Sequence, residues 1–178
     1  MNLVSECGTV PTEALRLTRT SDGMTPWLKR LHLVVTIGGS FAGIAIALIP
    51  LLTNGQAGSG ARVPALLCLA FYIYGLVVGI RLSERGPSRP ALLWFYGIQV
   101  PRVSSSHFAF GIAAGAHANI GFLGDRLYYH WQIGADYYIA IGSPASFGLG
   151  VNLFALALFS SVIRSMASSN ALEREGDE

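Results

Sequence analysis

Charge is scarce in this chain: Asp, Glu, Lys and Arg together make up 12% of its 178 residues. Soluble domains carry about twice that share, so a membrane class comes first. Cysteine is scarcer still. Cys7 lies in a polar N-terminal stretch and Cys68 inside an apolar run, which excludes a disulfide framework and any C-x-x-C metal or redox motif. A net charge of +2 is too small for an electrostatic nucleic-acid footprint, so no nucleic-acid partner is expected. Residues 1–26 lack an apolar core segment, so no cleavable signal peptide is expected. The first apolar run follows Lys29 and Arg30 and reads as a signal anchor.

Hydrophobic residues make up 52% of the chain and gather into long runs. Thr25-Pro26 fits a helix start, and Trp27, Lys29 and Arg30 fit a membrane–water interface. Leu31–Leu52 carries no charged residue and is long enough to cross a bilayer, which takes about 20 residues. Spans are likewise expected at 63–80, 91–115 and 147–163. Residues 1–25 and 168–178 read as tails, leaving 26–167 as the membrane domain. From Leu127 to Ile141 bulky and polar residues alternate, the period of a strand. A small antiparallel meander is therefore expected over 117–142, with strands near 117–123, 127–133 and 137–142, outside the apolar layer. The expected fold is all-α, a four-helix transmembrane bundle with this β insert between helices 3 and 4.

Arg16, Arg19, Lys29 and Arg30 precede the first run, and Arg81, Arg85 and Arg89 separate the second from the third. The opposite loops hold only Arg62 and Arg126. The positive-inside rule then places both termini in the cytoplasm and the insert outside.

The third run is the least apolar. Gln99, Arg102 and Ser106 would share a sector about 60° wide on a helix, with His107 on its other flank. Pro101 would kink that helix and free a carbonyl near Gly97. No acidic residue falls in any of the four runs, so Arg102 needs freed carbonyls, Asp125, Asp136 or an anionic ligand as its partner. These four polar residues are the candidate ligand-binding set.

Gly39/Gly43, Gly75/Gly79 and Gly111/Gly115 are G-x-x-x-G pairs suited to close helix crossings, and Asn152 is an amide suited to bonding a neighbouring helix. The crossings serve either internal packing, the favoured reading, or homo-oligomerisation. His32, His107, His117 and His130 lack metal-ligand spacing, and His32 and His107 do not fall level as haem ligands would, so no metal or cofactor is assigned. Tyr128, Tyr129, Trp131, Tyr137 and Tyr138 read as an interfacial aromatic belt rather than a ligand platform.

Gln99-Val100-Pro101 followed by serines, together with Gly150-Val151-Asn152-Leu153-Phe154-Ala155, resembles small uncharacterised bacterial membrane proteins with four spans. The resemblance covers the second half of the chain and implies a bacterial inner membrane. The position of Arg102 is commonly apolar in that pattern, so this chain departs from it there. The resemblance implies no activity.

Three functions are then open. The first is a non-enzymatic packing, assembly or partner-binding module that meets lipid, its own copies or another membrane protein. The second is a small solute or anion conduit using Gln99, Arg102 and Ser106. The third is a membrane redox protein or other enzyme, for which no nucleophile–base pair, paired carboxylates or other catalytic residues stand out.

Overall fold

The computed structural model describes residues 24–53, 59–85, 88–142 and 146–175. Residues 1–23 of the tail expected over 1–25, and the loop at 54–58, lie outside them. Among the described residues the fold has four helices and six strands, which overturns the all-α four-helix bundle.

Helix α1 runs from Pro26 to Leu52 and α2 from Ser59 to Arg85. Among the described residues, two helices are long and apolar enough to cross a membrane, over Pro26–Leu52 and Arg62–Glu84. Helix α3 covers only Arg89–Gln99, and α4 covers Leu153–Glu175. Pro26 starts α1, where its missing N–H costs nothing. A π turn at Val34–Gly38 widens α1, and Thr36 donates its hydroxyl to the His32 carbonyl at 2.6 Å.

The helices cross closely where side chains are small. A Cβ on Gly43 would collide with the Tyr72 ring, one on Gly75 with Phe95 and Ser40, and one on Gly79 with Ile37 and Thr36. His32 ties three helices together. The Ser161 hydroxyl donates to the Leu158 carbonyl at 2.6 Å, so its oxygen receives Nε2–H of His32 at 3.1 Å. Nδ1 of His32 then accepts the Tyr96 hydroxyl at 2.8 Å.

The third and fourth expected spans are each part helix and part strand. Helix α3 stops at Gln99, because Pro101 has no N–H with which to continue it. Strands β1 (Pro101–Ser104) and β2 (Phe108–Ala113) follow. Near the other end, β6 (Gly148–Asn152) precedes α4, and Asn152 switches strand to helix. Its Oδ1 accepts the N–H groups of Phe154 and Ala155 at 3.2 and 3.3 Å, the bonds of a helix N-cap. Between them lie β3 (Ala116–Leu123), β4 (Arg126–Ile133) and β5 (Asp136–Ile141). These three do not form a meander. The six strands make one antiparallel sheet in the order β4-β3-β6-β1-β2-β5.

That order dictates curvature. Strands β4 and β5 are opposite edges, yet only Gly134 and Ala135 join them. Three Cα steps reach about 11 Å, whereas five strand spacings in a flat sheet need about 24 Å. The link from β2 to β3 is also two residues, Ala114 and Gly115, and it bridges three strand spacings. The sheet must therefore roll into a cup that is closed at its base. Gly134 N–H donates to the Gly115 carbonyl at 2.8 Å, tying the two links together.

The base rests against the middle of the long helices. Gly115, at φ +85°, lies against Val35 and faces Gly39, where a Cβ would overlap its backbone. Gly111 and Gly115 thus belong to a strand and a turn, not to a helix crossing. Tyr72 donates its hydroxyl to the carbonyls of Ala113 or Asp136, both at 3.0 Å. Strand β5 continues along the first half of α2, where Tyr137 and Ile139 join the core that holds Cys68 and Tyr72.

Leucine at Gly43 or Gly79 forces α1 and α2 apart, and overpacking of this kind costs about 1–3 kcal/mol. Each variant should melt at a lower temperature than wild type in detergent. Unchanged melting for both would contradict the close crossing.

Candidate functional site

Alternation sorts the six strands into two faces. The outer face carries bulky apolar side chains such as Phe110, Ile120, Phe122, Leu149 and Trp131. The inner face carries small and polar residues, and it lines the cup.

Register shows how the inner face is layered. Tyr128, Gly121, Gly150 and Arg102 stand side by side across β4, β3, β6 and β1, and Gly111 pairs with Tyr138 across β2 and β5. The Arg102 side chain lies against Gly111, which joins the two sets across β1 and β2, and Tyr128 and Tyr138 from the two edge strands line one cavity, so the layer forms an unpaired ring. Glycines make this layer possible: a Cβ on Gly150 would strike the Tyr128 hydroxyl, and one on Gly121 the Leu149 carbonyl. Arg102 and the two tyrosines occupy the space that is left. A cavity of about 370 Å³ lies here, lined by Arg102, Ser104, Tyr128, Tyr138 and Ser146 among others. Edge strands β4 and β5 both contribute tyrosines to it, as a rolled sheet requires.

Beneath that ring is a layer of His130, Asn119, Asn152 and, from β5, Asp136. Arg102 reaches down to it, and its Nη2 donates to Oδ2 of Asp136 at 2.9 Å. Asp136 is thus the partner that Arg102 needs, supplied by a strand rather than by another span. The charge of the site is balanced.

Several polar groups at this depth have no partner. Both ring nitrogens of His117, both amide atoms of Asn119, Nδ2 of Asn152 and Nε of Arg102 are buried without a hydrogen bond. His117 is 2% exposed and Asn119 is fully buried. His117 lies within electrostatic range of Arg102, Asp136 and His130, and its ring stands 5.5 Å from that of His130. Buried polar groups cost about 1–3 kcal/mol each when unsatisfied, so these atoms are free to bond water or another polar group.

Gln99, Arg102, Ser106 and His107 do not converge. Gln99 ends α3, where its Nε2 donates to the Phe95 carbonyl at 2.9 Å and its Oε1 accepts Ala114 N–H at 2.7 Å. It ties the helix to the cup's base. Ser106 and His107 form the exposed tip of the β1–β2 turn, and the His107 carbonyl accepts Gly142 N–H at 2.8 Å. Only Arg102 of the four lines the cavity. Asn152 serves as a helix cap and as an acceptor for Ala118 N–H at 3.2 Å, so its amide joins a strand and a helix rather than two helices. Tyr128 and Tyr138 face the cavity while Tyr129 and Trp131 face outward, so alternation splits the expected belt between two surfaces.

Asn119 and His117 carry a sequence signal that was available. Polar or glycine residues stand at every second position in His117-x-Asn119-x-Gly121 and in Gly148-x-Gly150-x-Asn152. Among the described residues, no group of three or more His, Cys, Asp or Glu side chains is placed to hold a metal ion.

The ion pair can be tested directly. Arg102→Leu leaves the partly buried Asp136 carboxylate uncompensated, an expected loss of about 1–3 kcal/mol. Arg102→Leu with Asp136→Leu should recover most of the lost melting temperature. A single variant as stable as wild type would show that the pair contributes nothing.

Comparison of the chain with protein-family models, with curated proteins and with solved structures returns no match.

Proposed function

We propose that this is a multi-pass plasma-membrane protein with a non-enzymatic task, the binding of a small polar ligand in its rolled sheet. The observation that carries the reading is the cluster of buried, partnerless groups on Asn119, Asn152 and His117, which lie one and two strand layers below the cavity that Arg102 lines. The Arg102–Asp136 pair leaves the site with no excess charge. A ligand that is neutral or zwitterionic, with both donors and acceptors, fits better than a simple anion. An anion conduit is disfavoured for the same reason, because the one cationic group in the cavity lining is already paired.

Orientation follows from charge. Lys29, Arg30, Arg81 and Arg89 lie at the helix ends remote from the cup's mouth. The positive-inside rule makes that side cytoplasmic, so the cup opens outward. Helices α1 and α2 cross once each, and α3 with the cup and the cup with α4 make two composite crossings. The start of α1 and the end of α4 then share the cytoplasmic side.

Purified protein in nanodiscs should be screened by thermal melting against zwitterionic amino acids, neutral polyols, inorganic phosphate and chloride. A ligand at 100 times its Kd adds about 2.7 kcal/mol of stability. At least one zwitterion or polyol should raise the melting temperature of wild type, and Asn119→Leu should abolish that rise. Stabilisation by phosphate or chloride alone would favour the conduit. No response to any of the four classes would contradict the binding reading.

A further inference from the structure

The outer face of the cup is a bare apolar surface beside the two long helices. Phe108, Phe122, Leu127, Trp131, Ile133 and Ile141 are each 44–78% exposed on it. Single exposed apolar residues are ordinary, but a contiguous face of them is not. No charged residue belongs to this face, because every second residue of each strand points inward and the charges of Arg102, Asp136 and Arg126 go with that inner set.

From these observations we infer that the outer face of the sheet lies in the acyl-chain layer of the bilayer, level with the distal halves of α1 and α2. This inference rests on the membrane reading above. Three facts on the structure fix the occupant as lipid. First, the base of the cup contacts α1 at Val35 and Gly39, near the middle of that helix. Second, β5 runs from the level of Tyr72 along α2, so the strands climb beside helix segments whose own outer faces are bare and apolar, with Phe41 69% and Leu67 60% exposed. The apolar surfaces of helix and sheet are therefore continuous. Third, polarity returns at the strand tips, at Ser105–His107 and at Asp125–Arg126, where a headgroup boundary belongs.

Lengths agree with this placement. From Gly39 to Leu52 an α-helix rises about 20 Å, and strands of six to eight residues cover a similar distance. Strands survive in lipid only when their edges are closed or covered. The two-residue link between β4 and β5 brings the open edges together at the base, and α2 flanks β5. The result is a composite membrane domain that continues α-helical crossings as a small barrel-like cup with a polar interior.

Trp131, 64% exposed on β4, is a native reporter for this claim. Trp27 and Trp94 are about as exposed, at 70% and 69%, so a Trp27→Phe/Trp94→Phe variant should fold. It is reconstituted in phosphatidylcholine vesicles carrying bromine mid-chain, with iodide as the aqueous quencher. Trp131 should lose most of its emission to the brominated lipid and little to iodide. A second variant, Trp27→Phe/Trp94→Phe/Trp131→Phe with Phe41→Trp, reports on the α1 surface in the same vesicles. Quenching at position 41 but iodide quenching at Trp131 would put the helices in the bilayer and the sheet in water, overturning the inference alone. Quenching of Trp131 by neither agent would mean that a second copy or another protein covers the face, which also overturns it. Loss of lipid quenching at both positions would overturn the membrane reading together with the inference.

Discussion

Two short links decide this fold. Gly134-Ala135 joins the opposite edges of a six-stranded sheet, and Ala114-Gly115 crosses over two intervening strands. Neither is long enough for a flat sheet, so the strands roll until the links can span. Rolling creates an inside, and the inside cannot hold large side chains in every layer. Glycines at 111, 121 and 150 answer that crowding, and the room they leave holds Arg102, Tyr128 and Tyr138. The Arg102–Asp136 pair and the partnerless floor groups are consequences of the same roll.

The helices accommodate the cup rather than forming a separate bundle. Strands β1 and β6 are the direct continuations of α3 and α4, so the ends of the cup inherit the helix packing. His32 locks α1 to α3 and α4 through Tyr96 and Ser161, and Gln99 fixes the end of α3 to Ala114 in the base. Hydrogen bonds of this kind fix the base of the cup against the helices.

Only part of this fold is legible in the sequence, and the illegible part has a physical cause. The first two apolar runs correspond to α1 and α2 because their length and lack of charge admit few alternatives. Strands near 117–142 showed themselves through alternation of polar with apolar residues. In Phe108-Ala109-Phe110-Gly111-Ile112-Ala113 the alternation is between bulky and small residues, all of them apolar, so the segment resembled membrane helix. Gly148-Leu149-Gly150-Val151-Asn152 hid in the same way. On a continuous helix Gln99, Arg102 and Ser106 would share one sector with His107 on its flank, whereas the helix end, strand and turn found at 99–107 scatter them. Asp136 could not be chosen over other partners for Arg102, because strand order is set by tertiary closure and leaves little local trace.

The central claim is that β4 has one side in the cup and one side outward, in a sheet rolled around a polar interior. Spin labels placed singly at each residue from Arg126 to Ile133, with Cys7 and Cys68 replaced by alanine, measure this most directly in reconstituted vesicles. Accessibility to oxygen should peak at 127, 129, 131 and 133, and accessibility to a water-soluble nickel complex at 128, 130 and 132. A period near 3.6 residues, or equal access to both agents at every position, would contradict the rolled sheet.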